Sequence, residues 1–406
     1  MFISQIKNLT LVILFSVLSL TACSQETSLS YSKQVKENII VGAERMNLYF
    51  NKIKDKKIAV IANPSSLVNK THLVDTLISL GIKVIKVMSP EHGFRGDASA
   101  GEYVNNSFDN KTGLPIVSLY GKHKKPSKDD LKDIDILIFD LQDVGTRFYT
   151  YLSTLHLCLE ACAENNKELL ILDRPNPNGY YVDGPILEPQ YKSFVGMDPI
   201  PIVHGMTLGE YAKMLNGEFW LKDSLVCNLT IVPVKNYTHK MSYKLPVRPS
   251  PNLPNNIAIN LYPSLCLLEG TPISVGRGTN KPFQMFGYPN FKDYDTTFIP
   301  KSIPHVSLNP KLKNKKCNGK NLSYYNDSTA LSESKIQLKW IILAYNQFDK
   351  KSDFFNSFFY KLAGTKTLSE QIKEGMSEKE IRNSWRNGIM NFKKIRRKYL
   401  LYPDFE

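Results

Sequence analysis

The acidic and guanidinium side chains of this chain gather in a few short loops. Their spacing suggests acid–base chemistry on an anionic ligand. One loop reads Ser89-Pro90-Glu91-His92-Gly93-Phe94-Arg95-Gly96. Glu91 follows an apolar run and a proline inside a glycine-bounded turn. A carboxyl at such a cleft edge can serve as a general acid, because partial desolvation favours its protonated form. The plainer reading is a helix cap or an ion pair with Arg95. Hydrolysis of a glycosidic bond usually needs two carboxyl groups flanking that bond. Asp140, Asp143 and Asp173 lie in two later loops, and Glu269 lies in the second half of the chain. Asp143 sits beyond the end of its strand, closest to where a ligand would lie. Asp140 reads as a turn cap, and Asp173-Arg174 as an internal ion pair.

Arg95, Arg147, Arg174, Arg248 and Arg277 fall in the same loops. Arginine grips a carboxylate with a planar two-pronged fork, so a cleft holding several of them suits an acidic ligand. Phe148, Tyr149, Tyr151 and Phe283 could offer ring faces to a sugar. His92, His204 and Asn176 stand in loop contexts that suit hydrogen bonding. No HExxH or close His/Cys/Asp cluster occurs, so no metal is expected. No GxGxxG follows the first strand and no GxxxxGK[ST] occurs, so no nucleotide cofactor is expected. The absence of GxSxG argues against an esterase of the α/β-hydrolase type.

The elements that must position these loops read as alternating strands and helices. Apolar runs at 57–62, 83–88, 134–139 and 169–172 suit strands buried on both faces. Helical periodicity occupies 73–78 and 149–163. That alternation predicts a doubly wound α/β domain with a mostly parallel sheet. Each strand runs into one of the polar loops at its carboxyl end, where open α/β sheets bind ligands. The segment 246–254 holds four prolines and reads as a rigid seam. A second unit begins beyond it, near Ile257. Residues 300–335 read as loop-rich, 335–360 as helical, and 377–399 as a helix whose basic end is a solvated face. The Lys-rich stretch 311–320 reads as surface charge.

Composition agrees with a globular chain of more than one packing unit: 406 residues, 42% hydrophobic and 22% charged. Lys plus Arg is 52 against Asp plus Glu 38, a formal charge of +14 that points to an anionic partner. The leader narrows the choice. Lys7 precedes an apolar run, Leu9 to Leu20, of about a dozen residues, too short to span a bilayer. Leu20-Thr21-Ala22-Cys23 has the form of a bacterial lipobox, in which the cysteine carries the lipid. Residues 1–22 therefore read as a lipoprotein signal peptide and 23–36 as a tether. Ser24 is not the Asp of inner-membrane retention, so an outer-membrane site is expected, facing the periplasm or the cell surface. An exported chain of this kind does not meet cytoplasmic nucleic acid. Five cysteines remain, an odd count that allows one disulfide, but a chain of this size does not call for a disulfide framework.

The motifs together resemble one family. SPEHGFRG, DLQDVGTRFYTYLST, LDRPNPNG, SFVGMDPIPIVHGMTLGEYA, PSPNLP and LLEGTPISVGRGT are similar, in order, to the NamZ exo-β-N-acetylmuramidases of glycoside hydrolase family 171. The resemblance implies a Rossmann-like domain over 37–254, a smaller α+β domain over 255–406, and a cleft between them. It implies release of N-acetylmuramic acid from the non-reducing end of peptidoglycan fragments, with Glu91 as the catalytic carboxyl. It supplies no second catalytic group, so Asp143 and the substrate's own acetamido group both stand. His92, Arg95, Arg147, Tyr149, Arg174, Asn176, His204 and Arg277 are the expected substrate contacts. Thr271-Pro272-Ile273 departs from the family's usual Thr-Asn-aliphatic form. The alternative is a non-catalytic lipoprotein that binds muropeptides or other acidic sugars.

Overall fold

The computed structural model describes residues 38–96 and 107–406. Residues 1–36, the expected signal peptide and tether with Cys23, lie outside the described residues. Seven strands form the central sheet: β1 (Ile58–Ala62), β2 (Val84–Ser89), β3 (Ser107–Phe108), β4 (Pro115–Ser118), β5 (Ile136–Asp140), β6 (Glu168–Leu172) and β7 (Asn228–Val232). Their spatial order is β3-β4-β2-β1-β5-β6-β7, and every pairing is parallel except β3 with β4. The chain leaves β1 in one direction for β2 and β4, then in the other for β5 to β7. The switch point therefore lies between β1 and β5, where such sheets open a crevice.

Strand periodicity explains why the central strands are apolar along most of their length. Successive side chains point to opposite faces of a sheet. Ala59 and Ile61 of β1, Leu137 and Phe139 of β5, and Leu169 and Ile171 of β6 enter one apolar core. Ile58, Val60, Ile136, Ile138, Leu170 and Leu172 enter a second core on the other face. The helices Tyr151–Glu164 and Leu208–Gly217 cover the first face. Thr207 opens the latter helix with a reciprocal cap to Glu210.

The first core does not stop at the seam. It runs on through Leu261, Leu268, Phe283 and Phe359 of the C-terminal part. That part is α+β. It has a three-stranded antiparallel sheet, in the order Met285–Tyr288, Cys317–Asn321, Thr296–Phe298, with helices that include Asn256–Leu265, Leu338–Gln347 and Glu378–Arg397. The tail returns to the first domain. Tyr402 Oη donates to Asp173 at 2.5 Å, and the Leu401 amide donates to Glu210 at 2.8 Å.

Several sequence expectations change here. The loop-rich reading of 300–335 missed the strand Cys317–Asn321 and the helix Asp327–Glu333. The strand carries Asn, Gly and Lys because Gly319 lies against the Phe286 carbonyl, where a side chain would not fit. The helical stretch 335–360 is interrupted after Gln347, and Asn356 caps a new helix at Ser357–Ala363. The basic end of Glu378–Arg397 is not wholly solvated. Arg396 is buried and donates to the Gly205 carbonyl and to Asp404. The five cysteines from Cys158 onward are free and buried. No helix among the described residues is long and apolar enough to cross a membrane.

Candidate active site

The carboxyl ends of the strands are tied together before any ligand is considered. Asn63, just past β1, donates through its amide to Tyr151 Oη at 2.7 Å, and that hydroxyl donates to the Glu91 carbonyl at 3.2 Å. Ser66 donates to the carbonyl of Asp140, the last residue of β5. Arg174 reaches back across the sheet to grip Asp140 at 2.6 and 2.9 Å. Asp173 is not its partner. Burial and the neighbouring Glu210 raise the Asp173 carboxyl to about 6, against hydrogen bonds from Tyr402, Thr207 and Gly209.

Beyond these ties lies a cavity of about 330 Å³, near the lower end of the small-ligand range of about 300–1,000 Å³. The first domain contributes Glu91, His92, Tyr149 and Thr150, and the C-terminal part contributes Glu269 and Arg277. Phe194 and Phe358 also line it, the latter 39% exposed. A chain of ring contacts crosses between the two parts. Tyr151 meets Tyr149 at 4.8 Å, Tyr149 meets Tyr262 at 6.2 Å, and Tyr262 meets Phe283 at 5.0 Å. The Tyr149 hydroxyl is engaged with the Pro249 carbonyl at 2.7 Å, so its ring rather than its oxygen is offered inward.

Glu91 accepts a hydrogen bond from Thr150 Oγ1 at 3.0 Å. Its loop turns through two left-handed residues, His92 at φ 77° and Gly93 at φ 78°. Such a conformation is uncommon for a side-chain-bearing residue and is often held at functional sites. Phe94 anchors the loop in the second core. The His92 imidazole is 8% exposed, and its Nδ1 finds no partner among the described residues. Burial, helped by Arg277 and opposed by Glu91, lowers its pKa, so the ring is neutral at pH 7.

Arg277 sits between Gly276 and Gly278, both at φ 78°. A Cβ on Gly278 would stand 2.4 Å from the Lys301 carbonyl. The glycines thus let the loop turn closely enough to aim one arginine. Its guanidinium lies over Phe283, 4.9 Å from the ring centre, and Nε donates to Glu269 at 3.2 Å. Both terminal nitrogens lack a protein partner among the described residues.

The other expected contacts are placed elsewhere. Arg147 is 1% exposed and donates to the carbonyls of Pro185, Ile200, Leu362 and Ala363, stitching the two parts together. Arg174 is consumed by Asp140 and the Leu67 carbonyl. Arg95 pairs with Asp75 and Asp109 rather than with Glu91. Arg248 is exposed. Asn176 packs against Gly145 and donates to the Met206 carbonyl. Asp143 and His204 do not line the cavity. Asp143 is 3% exposed and accepts from the Gly145 amide at 2.7 Å, and His204 Nε2 approaches it to 3.4 Å. Of the four arginines expected as contacts, the lining of the cavity includes Arg277, and of the candidate second carboxyls it includes Glu269 and not Asp143. Sequence reasoning did not single out Thr150, Tyr262 or Phe358 as lining residues. Aromatic residues at helical spacing read as core, and only the packing of two parts makes them a wall.

Comparison with known proteins agrees with this geometry. Residues 58–257 match the N-terminal domain, and residues 260–402 the C-terminal domain, of the exo-β-N-acetylmuramidase NamZ. The peptidoglycan β-N-acetylmuramidase NamZ of Bacillus subtilis (strain 168) is 42% identical over 372 residues, covering 87% of this chain and 89% of that one. Two solved DUF1343 family proteins from Bacteroides fragilis NCTC 9343 share the fold. One has TM-score 0.85 and 49% identity, covering 91% of this chain and 100% of its own. The other has TM-score 0.77 and 31% identity, covering 90% and 99%. Both halves of the chain match, and the chain belongs to the exo-β-N-acetylmuramidase NamZ family.

Proposed function

We propose that this chain is an exo-acting glycosidase that releases N-acetylmuramic acid from the non-reducing end of peptidoglycan fragments, with Glu91 as general acid. The observation that carries the reading is the presence, in one small cavity, of Glu91 and a guanidinium whose outer donors have no partner among the described residues. N-acetylmuramic acid bears a lactyl carboxylate that N-acetylglucosamine lacks. The fork of Arg277 binds that carboxylate, and Glu269 with Phe283 holds the fork in place. In the first step the acetamido oxygen of the substrate attacks C1 and the C1–O bond breaks. The departing oxygen takes the Glu91 proton. Water then opens the cyclic intermediate, with the Glu91 carboxylate as base. This is the substrate-assisted exception to the two-carboxylate pattern. It is favoured over Asp143, which is buried outside the cavity.

Glu91→Gln keeps the side-chain shape and removes the transferable proton. Release of N-acetylmuramic acid from a muramyl disaccharide is expected to fall about 10²–10⁴-fold with folding intact. Near-normal turnover would remove Glu91 from the mechanism. A non-catalytic binding lipoprotein would retain muropeptide binding in both forms and release no sugar in either.

The lipobox supports export as a lipoprotein anchored through Cys23 and facing the periplasm from the outer membrane. The test is mass spectrometry of the mature N-terminus: an unmodified Cys23, or cleavage elsewhere, would discard the anchor.

A further inference from the structure

Lys311 belongs to a Lys-rich stretch that reads as surface charge, yet its ammonium points inward. Nζ donates to the carbonyls of Leu268, Glu269, Thr271 and Ile273 at 3.2, 2.9, 2.6 and 3.4 Å. Among the described residues it forms no ion pair with a carboxylate. An ammonium carries three protons, so four oxygens around it form a cage rather than a set of single bonds. Burial pulls its pKa down and the adjacent Arg277 adds to that, while Glu269 opposes.

The segment that supplies the cage turns four of its carbonyls toward the one ammonium. It closes the helical turn Cys266–Gly270, where the Leu268 carbonyl also accepts from the Thr271 amide and hydroxyl and the Gly270 carbonyl from the Asn356 amide. Pro272 has no amide hydrogen to give. Glu269 lies within this segment, and Arg277 follows it by four residues. Four carbonyl dipoles converging on one point repel one another unless a cation sits there.

We propose that Lys311 is a built-in cation that positions Glu269 and Arg277, and that its carbonyl cage will hold a free monovalent cation once the side chain is cut back. The positioning half of the proposal rests on Arg277 being the carboxylate clamp; the cage half does not.

Lys311→Ala tests both. Without added cation, its kcat/KM on a muramyl substrate is expected to fall about 100-fold, the scale of a displacement of about 1 Å at a reacting centre. Ammonium chloride should recover at least a tenth of the wild-type value and raise the thermal midpoint. Tetramethylammonium chloride at equal ionic strength, too large for the cage, should do neither, and the wild type should respond to neither salt. Combining Lys311→Ala with Arg277→Met should give no greater loss than Arg277→Met alone, since both act through one group. Fully multiplicative losses, or wild-type kcat/KM in Lys311→Ala, would overturn the positioning role. An ammonium response no different from that to tetramethylammonium would overturn the cage. If Lys311→Ala does not fold, Lys311→Met keeps the packed stem, and the same kinetic comparison with Arg277→Met decides the positioning role. If the wild type releases no N-acetylmuramic acid, the functional reading fails, while the thermal midpoint of Lys311→Ala in ammonium still decides the cage.

Discussion

Arg174 and Arg277 follow turns at the ends of ordered elements, and both face a carboxylate, but their surroundings divide them. Arg174 is 5% exposed, and its guanidinium is spent on Asp140 and a backbone carbonyl. Arg147 is likewise spent on four carbonyls. Arg277 is pinned at one nitrogen by Glu269 and by the face of Phe283, leaving its two outer nitrogens at the cavity. Residue type does not separate framework from recognition here. The distinction is whether the donors are used up by the protein itself.

The comparison breaks most readily at the framework end. Arg174→Met leaves the Asp140 carboxylate buried and unpaired between β1 and β6. Removing one partner of a buried pair costs about 3–5 kcal/mol. Urea unfolding should show that loss in full, with activity falling only as the folded fraction falls. A stable Arg174→Met protein with selectively lost sugar release would move Arg174 from framework to site.

A second framework cation gives a pH signature. His156 lies between Asp198 and Glu160, 3.0 Å from each, and is 1% exposed. Burial works against its charge, but those two carboxylates prevail and raise its pKa to about 9. Between the unfolded value near 6.5 and 9, the folded chain holds a proton that the unfolded chain has released. This contribution is therefore complete below pH 6.5 and is lost as pH rises through 9. Its size is on the order of 3 kcal/mol. Asp173 is also raised, so it too costs stability as pH rises, but its window lies below about pH 6. The wild type should lose stability over pH 6.5–9, and His156→Gln should show a flatter curve. Equal slopes would mean that His156 is neutral in the folded state.

What could be read from the sequence follows the same division. The parallel sheet was legible because β1, β5 and β6 are apolar on both faces, a pattern that local chemistry alone produces. The place of Glu91 at the cavity was legible because its loop follows the carboxyl end of a parallel strand, where open α/β sheets bind ligands. β4 and β7 are only partly buried along most of their length, and gave no such run. Arg147 and Arg277 could not be told apart, because each stands in a loop with nearby glycine. Only long-range contacts decide whose donors are spent: Arg147 reaches Leu362 and Ala363, more than 200 positions along the chain. Lys311 was misread for the same reason, since the carbonyls that receive it lie about 40 residues earlier.

The smallest expected effect tests the recognition end of the comparison most finely. Arg277→Met should lower kcat/KM on a muramyl glycoside about 100-fold, the scale of removing one partner from a desolvated charge contact. Stability should change by less than about 1 kcal/mol, because its pair with Glu269 is partly exposed. Arg277→Lys is the sharper variant. It keeps the positive charge and loses the planar fork, so a carboxylate held at two points would be held at one. About a tenfold loss is expected from Lys, against a hundredfold from Met. The poor turnover of the matching N-acetylglucosamine glycoside should be unchanged in both, since that sugar has no lactyl carboxylate to lose. If Lys and Met are equally damaging, the fork geometry rather than the charge dominates. If both variants also slow the glucosamine substrate, Arg277 acts on a part of the sugar common to the two, and its donors do not select the carboxylate.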